Sequence, residues 1–178
     1  MLHFSPEEKA ELLDLARKTI MSKLEGYANY ESTKNPRFLE NRGVFVTLEK
    51  NGELRGCIGN IESLNSIWQG IIDNAQAAAF EDPRFLPIQQ EELNDLKIEI
   101  SVLTKPEATN PEHIKPGVDG VVIRLGENKS TYLPQVWDHF KIKEDFLESL
   151  CVKAGLPENA WKDPKAQLFT YQVEKFRE

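Results

Sequence analysis

The sequence has little cysteine, with only Cys57 and Cys151 among 178 residues. Small domains that depend on disulfides carry far more, so two cysteines in a chain of this length favour reduced thiols. A Cys57–Cys151 bridge is the alternative. The cysteines and the three histidines show neither C-x-x-C nor H-x-x-x-H spacing, so no local motif for a metal is present and we expect no metal site.

Long apolar runs are missing as well. No stretch approaches the roughly 20 residues that a membrane-spanning helix needs. The first eight residues, MLHFSPEE, lack the basic and apolar regions of a secretory leader. These absences predict a cytoplasmic protein without a membrane partner.

Positive charge is in deficit, with 22 Lys and Arg against 29 Asp and Glu and a net charge of −7. Nucleic acids attract clustered Lys and Arg, so this acidity argues against a nucleic-acid-binding regulator. Glycine-rich phosphate loops and the G-x-S-x-G pattern of hydrolases are also missing. The remaining classes are a ligand-binding or accessory protein and an enzyme with another nucleophile.

Helices are predicted from cap residues and apolar spacing. Ser5-Pro6-Glu7-Glu8 is typical of a capped helix start, and apolar side chains then recur at helical spacing as far as Gly26. The same spacing predicts helices over residues 66–80 and 146–154. Residues 27–42 are polar and predict a loop.

Strands are predicted from β-branched runs and from alternation of apolar and polar residues. They cover residues 43–48, 54–59, 96–103, 121–125, 131–133 and 168–173. Because short turn signals join several of them and helices interrupt them, the sequence predicts an α+β fold with a mainly antiparallel sheet and flanking helices.

The first two strands form a predicted hairpin around the Asn51-Gly52 turn. Counting outward from a two-residue loop places Leu48 opposite Arg55 and puts Arg55 and Cys57 on one face. A bulge at Gly56 would change this register.

The hairpin carries the most informative motif, Leu54-Arg55-Gly56-Cys57-Ile58-Gly59. A nearby guanidinium lowers the pKa of a thiol, which makes Cys57 a candidate catalytic nucleophile. Free cysteine is also a common apolar filler of cores, so packing and redox regulation remain open for Cys57. We predict that Cys151, on the apolar stripe of a helix, is a core residue.

Arg55 needs a carboxylate, a carbonyl or a bound anion beside it. Glu99 is the candidate internal partner, and it would move protons if Cys57 is a catalytic nucleophile. Without that pairing, a small anionic ligand becomes the better hypothesis for Arg55. Gly56 and Gly59 either admit a ligand close to the backbone or serve a bulge and a tight turn.

Four further residues are candidates for ligand binding. Asp82 and Arg84 flank a proline after a helix, where they also fit a cap and a loop salt bridge. Ser101 lies on the polar face of its strand, and it either completes a polar cleft or faces water. Gln135 follows a proline and offers both donors and an acceptor.

Five segments in order resemble the AMMECR1 family. They are Leu54 to Gly59, Ala77 to Phe80 with Asp82 to Phe85, Ser101 to Thr104, Leu133 to Val136, and Lys153 to Leu156. The resemblance runs through nearly the whole chain. It implies a single domain over 1–178 made of two intimately joined subdomains, with the cysteine motif facing the region between them.

The resemblance implies neither an established activity nor a cofactor. Family members in bacteria and archaea are associated with Memo-like and radical-SAM-like proteins, so we expect an accessory or ligand-binding component with such partners, acting through a cleft built on Leu54 to Gly59. The alternative is an enzyme that uses Cys57 in acyl or group transfer. Asp119 stands where many relatives carry histidine, which argues against a mechanism that needs an imidazole there.

Overall fold

The computed structural model describes residues 2–27, 32–62 and 64–178, which contain three α-helices and two four-stranded sheets. In chain order these elements are α1 (Pro6–Leu24), β1 (Val44–Lys50), β2 (Glu53–Asn60), α2 (Ile67–Phe80), β3 (Leu96–Leu103), β4 (Glu107–Thr109), β5 (Gly120–Leu125), β6 (Asn128–Tyr132), α3 (Lys143–Lys153), β7 (Gln167–Tyr171) and β8 (Val173–Arg177). The strand orders are β2-β1-β3-β8 and β4-β7-β5-β6.

Two compact units divide the chain. The first unit comprises Met1–Leu103 with Glu174–Glu178, and the second comprises Thr104–Val173. The predicted α+β class with antiparallel pairing is confirmed. The boundary of a single domain at 1–178 stays a prediction.

The helix predictions are confirmed in their main features. Ser5 caps α1 through the backbone N–H of Glu8, whose carboxylate binds the Ser5 N–H in return. Gly26 follows the helix with a φ of 79°, the left-handed conformation that glycine adopts without strain. The predicted loop over 27–42 holds a short 3₁₀ segment, Pro36–Leu39, and residues 28–31 lie outside the described residues.

The core of the first unit lies between α1, α2 and one face of the first sheet. Alternation along β1 buries Val44, Val46 and Leu48. Every second residue of β3 is buried in the same way, namely Leu96, Ile98, Ile100 and Val102. The intervening residues of β1 and β3 therefore lie on the opposite side of the sheet, which we call the outer face.

The second unit has a core of its own, formed by α3 and the second sheet. Trp137 stacks on Phe146 with ring centroids 3.5 Å apart, and its indole N–H donates to the Asp119 carbonyl at 2.7 Å. Cys151 is fully buried here, as the sequence predicts, and burial raises the pKa of its thiol.

Two strand predictions in the second unit are wrong in their bounds. The hairpin loop after β5 holds only two residues, since Leu125 pairs with Asn128, so β6 begins earlier than predicted. The predicted strand at 168–173 corresponds to β7, which ends at Tyr171, and its last residue, Val173, already belongs to β8 in the other sheet. Gln172 lies between the two strands, and its backbone N–H donates to the Thr104 hydroxyl. The short strand β4 has too few alternating residues for sequence periodicity to reveal.

No helix within the described ranges is long and apolar enough to cross a membrane. In those same ranges, no three His, Cys, Asp or Glu side chains are grouped so as to hold a metal ion.

Candidate functional site

The hairpin has the bulged register that the sequence left open, because β2 contains a bulge next to Gly56. Asn51 and Gly52 have φ values of 54° and 81°, as a tight two-residue hairpin turn requires. The pairing then shifts after Leu54, so that Leu48 lies opposite Gly56 and not opposite Arg55. Arg55 is the extra residue in the bulge, so the count that placed Arg55 and Cys57 on one face does not hold.

The backbone of Cys57 is held on the side that faces away from β1. Its N–H donates to Asp82 Oδ2 at 2.9 Å, and its carbonyl accepts from Arg84 Nη2 at 3.2 Å. Cys57 lies opposite Thr47 in β1. In a non-hydrogen-bonded antiparallel pair, the N–H and the carbonyl of each residue point away from the partner strand. We call Asp82 and Arg84 the clamp, because they bind the two groups that the edge of β2 would otherwise expose.

The clamp is itself an ion pair. Arg84 Nε and Nη2 donate to the two Asp82 oxygens at 2.9 and 2.7 Å, and the Arg84 backbone N–H also donates to Asp82. The Asp82 side chain is 1% exposed, whereas that of Arg84 is 54% exposed. The Arg84 hydrogen bonds, together with the N–H groups of Cys57 and Arg84, hold the pKa of Asp82 well below its usual range.

Cys57 is a half-buried residue, and its side chain lies on the outer face. Its Sγ lies 3.2 Å from the Thr47 hydroxyl oxygen. Thr47 is the Cα partner of Cys57 in β2 and of Glu99 in β3, and Glu99 accepts from Lys175 Nζ at 3.1 Å. These four side chains, Cys57, Thr47, Glu99 and Lys175, form what we call the outer row. Cys57 is therefore not a buried core residue, whereas Cys151 is.

Arg55 has a different partner from the predicted Glu99. Its Nε and Nη2 donate to the two oxygens of Glu92, each at 3.0 Å, and Lys50 donates to the same carboxylate. The guanidinium also lies over the Phe85 ring, with 5.9 Å from Cζ to the ring centroid. Pairing with Glu99 is thus a wrong prediction, because Glu99 is on the outer face and the bulge turns Arg55 towards Glu92.

Glu92 is the acidic centre of this cluster, and its pKa is lowered from 4.5 to about 2, chiefly by the Arg55 hydrogen bonds. We expect Glu92→Gln to lower the free energy of unfolding at pH 7 by about 2 kcal/mol, because charge-assisted hydrogen bonds are lost. Urea denaturation measures this. The exposed neighbour variant Glu91→Gln is the control and should change stability by less than about 0.5 kcal/mol.

The pH dependence has a definite sign. A carboxylate with a depressed folded-state pKa stabilises the protein above its unfolded pKa, and this contribution is lost as the pH falls from about 4.5 to about 2. The stability difference between the wild type and Glu92→Gln should therefore narrow over that window. A constant difference would contradict the role of this ion pair.

The two glycines of the motif have steric explanations in the fold. A Cβ on Gly56 would lie 2.1 Å from the backbone oxygen of Ala78 in α2, and a Cβ on Gly59 would lie 2.3 Å from the Phe45 ring. The space beside Gly56 is thus occupied by α2, and the space beside Gly59 by an aromatic side chain. The close approach that Gly56 permits is to a helix of the protein itself.

The remaining candidates lie in two different places. Ser101 is half-buried on the outer face, opposite Phe45 in β1. Gln135 belongs to the second unit, where it is exposed in the 3₁₀ segment Pro134–His139. Asp119 is buried and accepts from the Lys115 backbone N–H, so its carboxylate closes a turn.

Sequence reasoning missed three residues of the site, namely Thr47, Glu92 and Lys175. The alternation of β1 already put Thr47 on its polar face, so that signal was present. No local pattern marks Glu92, which is 37 residues from Arg55, or Lys175, which is in the last strand.

Together these features define an α+β protein whose half-buried cysteine lies on an edge strand held by an ion-paired loop. The AMMECR1 family model matches residues 13–176, and the chain belongs to the AMMECR1 family. A protein from Methanothermobacter thermautotrophicus is 40% identical, with 98% of this chain and 96% of that protein covered. One from Methanopyrus kandleri is 39% identical, with 97% and 89% covered.

A solved structure agrees with the fold. The crystal structure of an uncharacterized protein from Pyrococcus horikoshii matches with a TM-score of 0.82 and 35% identity, covering 98% of this chain and 93% of that one. The similarity therefore extends over both units of the chain.

Proposed function

We propose that this protein binds a small acyl compound at the outer face and that Cys57 accepts the acyl group. The observation that carries the proposal is the way Cys57 is held. An ion pair with a fully buried carboxylate fixes both backbone groups of this one half-buried residue, and its thiol lies next to the Thr47 hydroxyl. Such fixed placement of a nucleophile reduces the entropic cost of reaction.

Because Arg55 is paired with Glu92 inside the protein, the proposal places the ligand at the thiol of Cys57 and not at this guanidinium. The guanidinium that was expected to bind an anionic ligand already has a carboxylate on two of its nitrogens, at 3.0 Å each. Cys57 is the half-buried residue of the motif whose backbone N–H and carbonyl are both held by side chains. The proposed ligand-binding role therefore moves from Arg55 to Cys57.

The proposed step is thioester exchange. The Cys57 thiolate attacks the carbonyl carbon of an acyl thioester, and the bond from that carbon to the donor sulfur breaks. The donor leaves as a thiolate and takes up the proton that Cys57 released, so no oxidant or reductant is required. Memo-like and radical-SAM-like partners, which the resemblance implies, would supply or consume the acyl group.

Alkylation and acylation test this proposal. With iodoacetamide on the folded protein, peptide mass mapping should find Cys57 labelled and Cys151 protected, because Cys151 is fully buried. With S-acetyl-N-acetylcysteamine, we expect one hydroxylamine-sensitive acetyl group on Cys57. Cys57→Ser should abolish the adduct, and the control Cys151→Ser should retain it.

Two results would overturn the proposal. One is an equally slow alkylation of both cysteines, which would mean that the Cys57 thiol is inaccessible. The other is an acetyl adduct that persists unchanged in Cys57→Ser, which would place the reactive group elsewhere.

A further inference from the structure

A cavity of about 170 Å³ in the first unit is separate from the clamp and the outer row. It is lined by Leu2, Phe4, Arg37, Glu40, Arg42 and Ile67, none of which belongs to the Cys57 site. A water needs roughly 10–15 Å³ of such space, so the cavity has room for a small polar molecule. Two guanidinium groups and one carboxylate supply its charge.

Arg42 has an unequal ion pair with Glu40. Its Nε and Nη2 donate to the same Glu40 oxygen at 3.2 and 2.7 Å, so the two-oxygen fork that arginine favours is not formed. The Arg42 side chain is 19% exposed, whereas that of Glu40 is 46% exposed. The cation is thus largely desolvated beside the cavity, while its counter-ion lies on the water side and interacts weakly.

The backbone around this pair is held in place. The Ile67 N–H donates to the Glu40 carbonyl at 2.9 Å, and the Arg42 N–H donates to the Asn65 carbonyl at 3.3 Å. Asn41, between them, forms an isolated bridge with Ser66. Glu40 and Arg42 therefore keep their positions at the cavity wall whether or not their side chains bind each other.

Arg37 is held from the other side. Its Nη1 donates to Glu8 at 2.7 Å and its Nη2 to the His3 carbonyl at 3.0 Å, and its Cζ lies 4.7 Å from the Phe4 ring centroid. A guanidinium has five N–H donors, so these two bonds leave others for a ligand. Arg37 is thus a second guanidinium in the wall of the same cavity, already ion-paired with Glu8 and held in a fixed position.

We infer that this cavity binds a small oxyanion, a phosphate or carboxylate group, between Arg37 and Arg42. The anion competes with Glu40 for Arg42, and Glu40 acts as an internal stand-in that the ligand displaces. An oxyanion suits the site because it has two or more oxygens, so Arg42 Nε and Nη2 can each donate to a separate oxygen, which Glu40 does not allow them to do here. This inference is independent of the reaction proposed for Cys57.

The test uses two variants with opposite expected signs. Glu40→Gln keeps the shape but removes the competing charge, so affinity should rise about 2–5-fold, the range of an exposed ion pair. Arg42→Ala should weaken binding about 10-fold or more. Calorimetric titrations with inorganic phosphate and, separately, propionate measure both, with ionic strength held constant by sodium chloride because salt screens exposed charges.

Arg177→Ala is the matched control, because it removes one positive charge from an exposed position of the same unit. It should leave the affinity unchanged. Binding of only one probe identifies the oxyanion class. The inference is overturned if neither probe binds, if Glu40→Gln does not tighten binding, or if Arg177→Ala weakens binding as much as Arg42→Ala.

Discussion

Gly56→Ala is expected to lower the free energy of unfolding by about 3 kcal/mol, the upper part of the usual range for overpacking. The added Cβ would lie 2.1 Å from the backbone oxygen of Ala78 and 3.1 Å from its carbonyl carbon. Backbone atoms of a helix cannot rotate out of the way as a side chain does, so β2 and α2 must move apart. Chemical denaturation followed by circular dichroism measures the loss.

Gly70→Ala is the matched control for this clash, and its expected sign is opposite. Gly70 is a buried glycine of α2, and a Cβ there would meet Val44 at 3.5 Å, an ordinary contact. Alanine is favoured over glycine inside a helix by up to about 1 kcal/mol. Gly70→Ala should therefore leave stability unchanged or increase it. Equal destabilisation by both variants would contradict the close approach at Gly56.

Asp82→Ala should also lower the free energy of unfolding by about 3 kcal/mol at pH 7. Removing one partner of a buried ion pair leaves the groups that bound it without an acceptor. The Cys57 and Arg84 N–H groups and the Arg84 guanidinium would all lose their acceptor. Since Arg84 itself is 54% exposed, water compensates it in part, and we take the lower end of the usual range. Thermal and urea unfolding measure this effect, with the exposed variant Asp95→Ala as control.

The Asp82 contribution has a predictable pH dependence. Because the pKa of Asp82 is depressed in the folded protein, its stabilisation is complete above its ordinary pKa of about 4 and is lost as the pH falls below that value. The difference between the wild type and Asp82→Ala should shrink in acid. A stability difference that stays constant from pH 7 to pH 2 would contradict the claim that Asp82 is ionised in the clamp.

Asp82→Ala has a second expected consequence at the thiol. If the clamp fixes Cys57 for reaction, releasing its N–H should change the rate of alkylation at Cys57 and leave the protected Cys151 unlabelled in the folded fraction. An unchanged Cys57 rate would mean that the clamp serves stability alone.

The candidate site was only partly predictable from the sequence. The sequence marks the motif from Arg55 to Gly59 as well as Asp82 and Arg84, but it does not indicate that they contact one another. The simple hairpin register holds only as far as Leu54, because the extra residue Arg55 shifts every later pair between β1 and β2 by one position. That shift directed Arg55 to Glu92 and placed Cys57 beside Thr47.

The sequence by itself determined the local elements and the family. The cap at Ser5, the turn at Asn51-Gly52 and the alternation of β3 depend on residues only a few positions apart, so their physics is complete within each segment. Tertiary structure decided which charges meet. Arg55 and Glu92 are 37 residues apart in the sequence, and Cys57 and Asp82 are 25 apart. Contacts over such separations depend on how helices and strands pack, and no neighbouring residue reveals them.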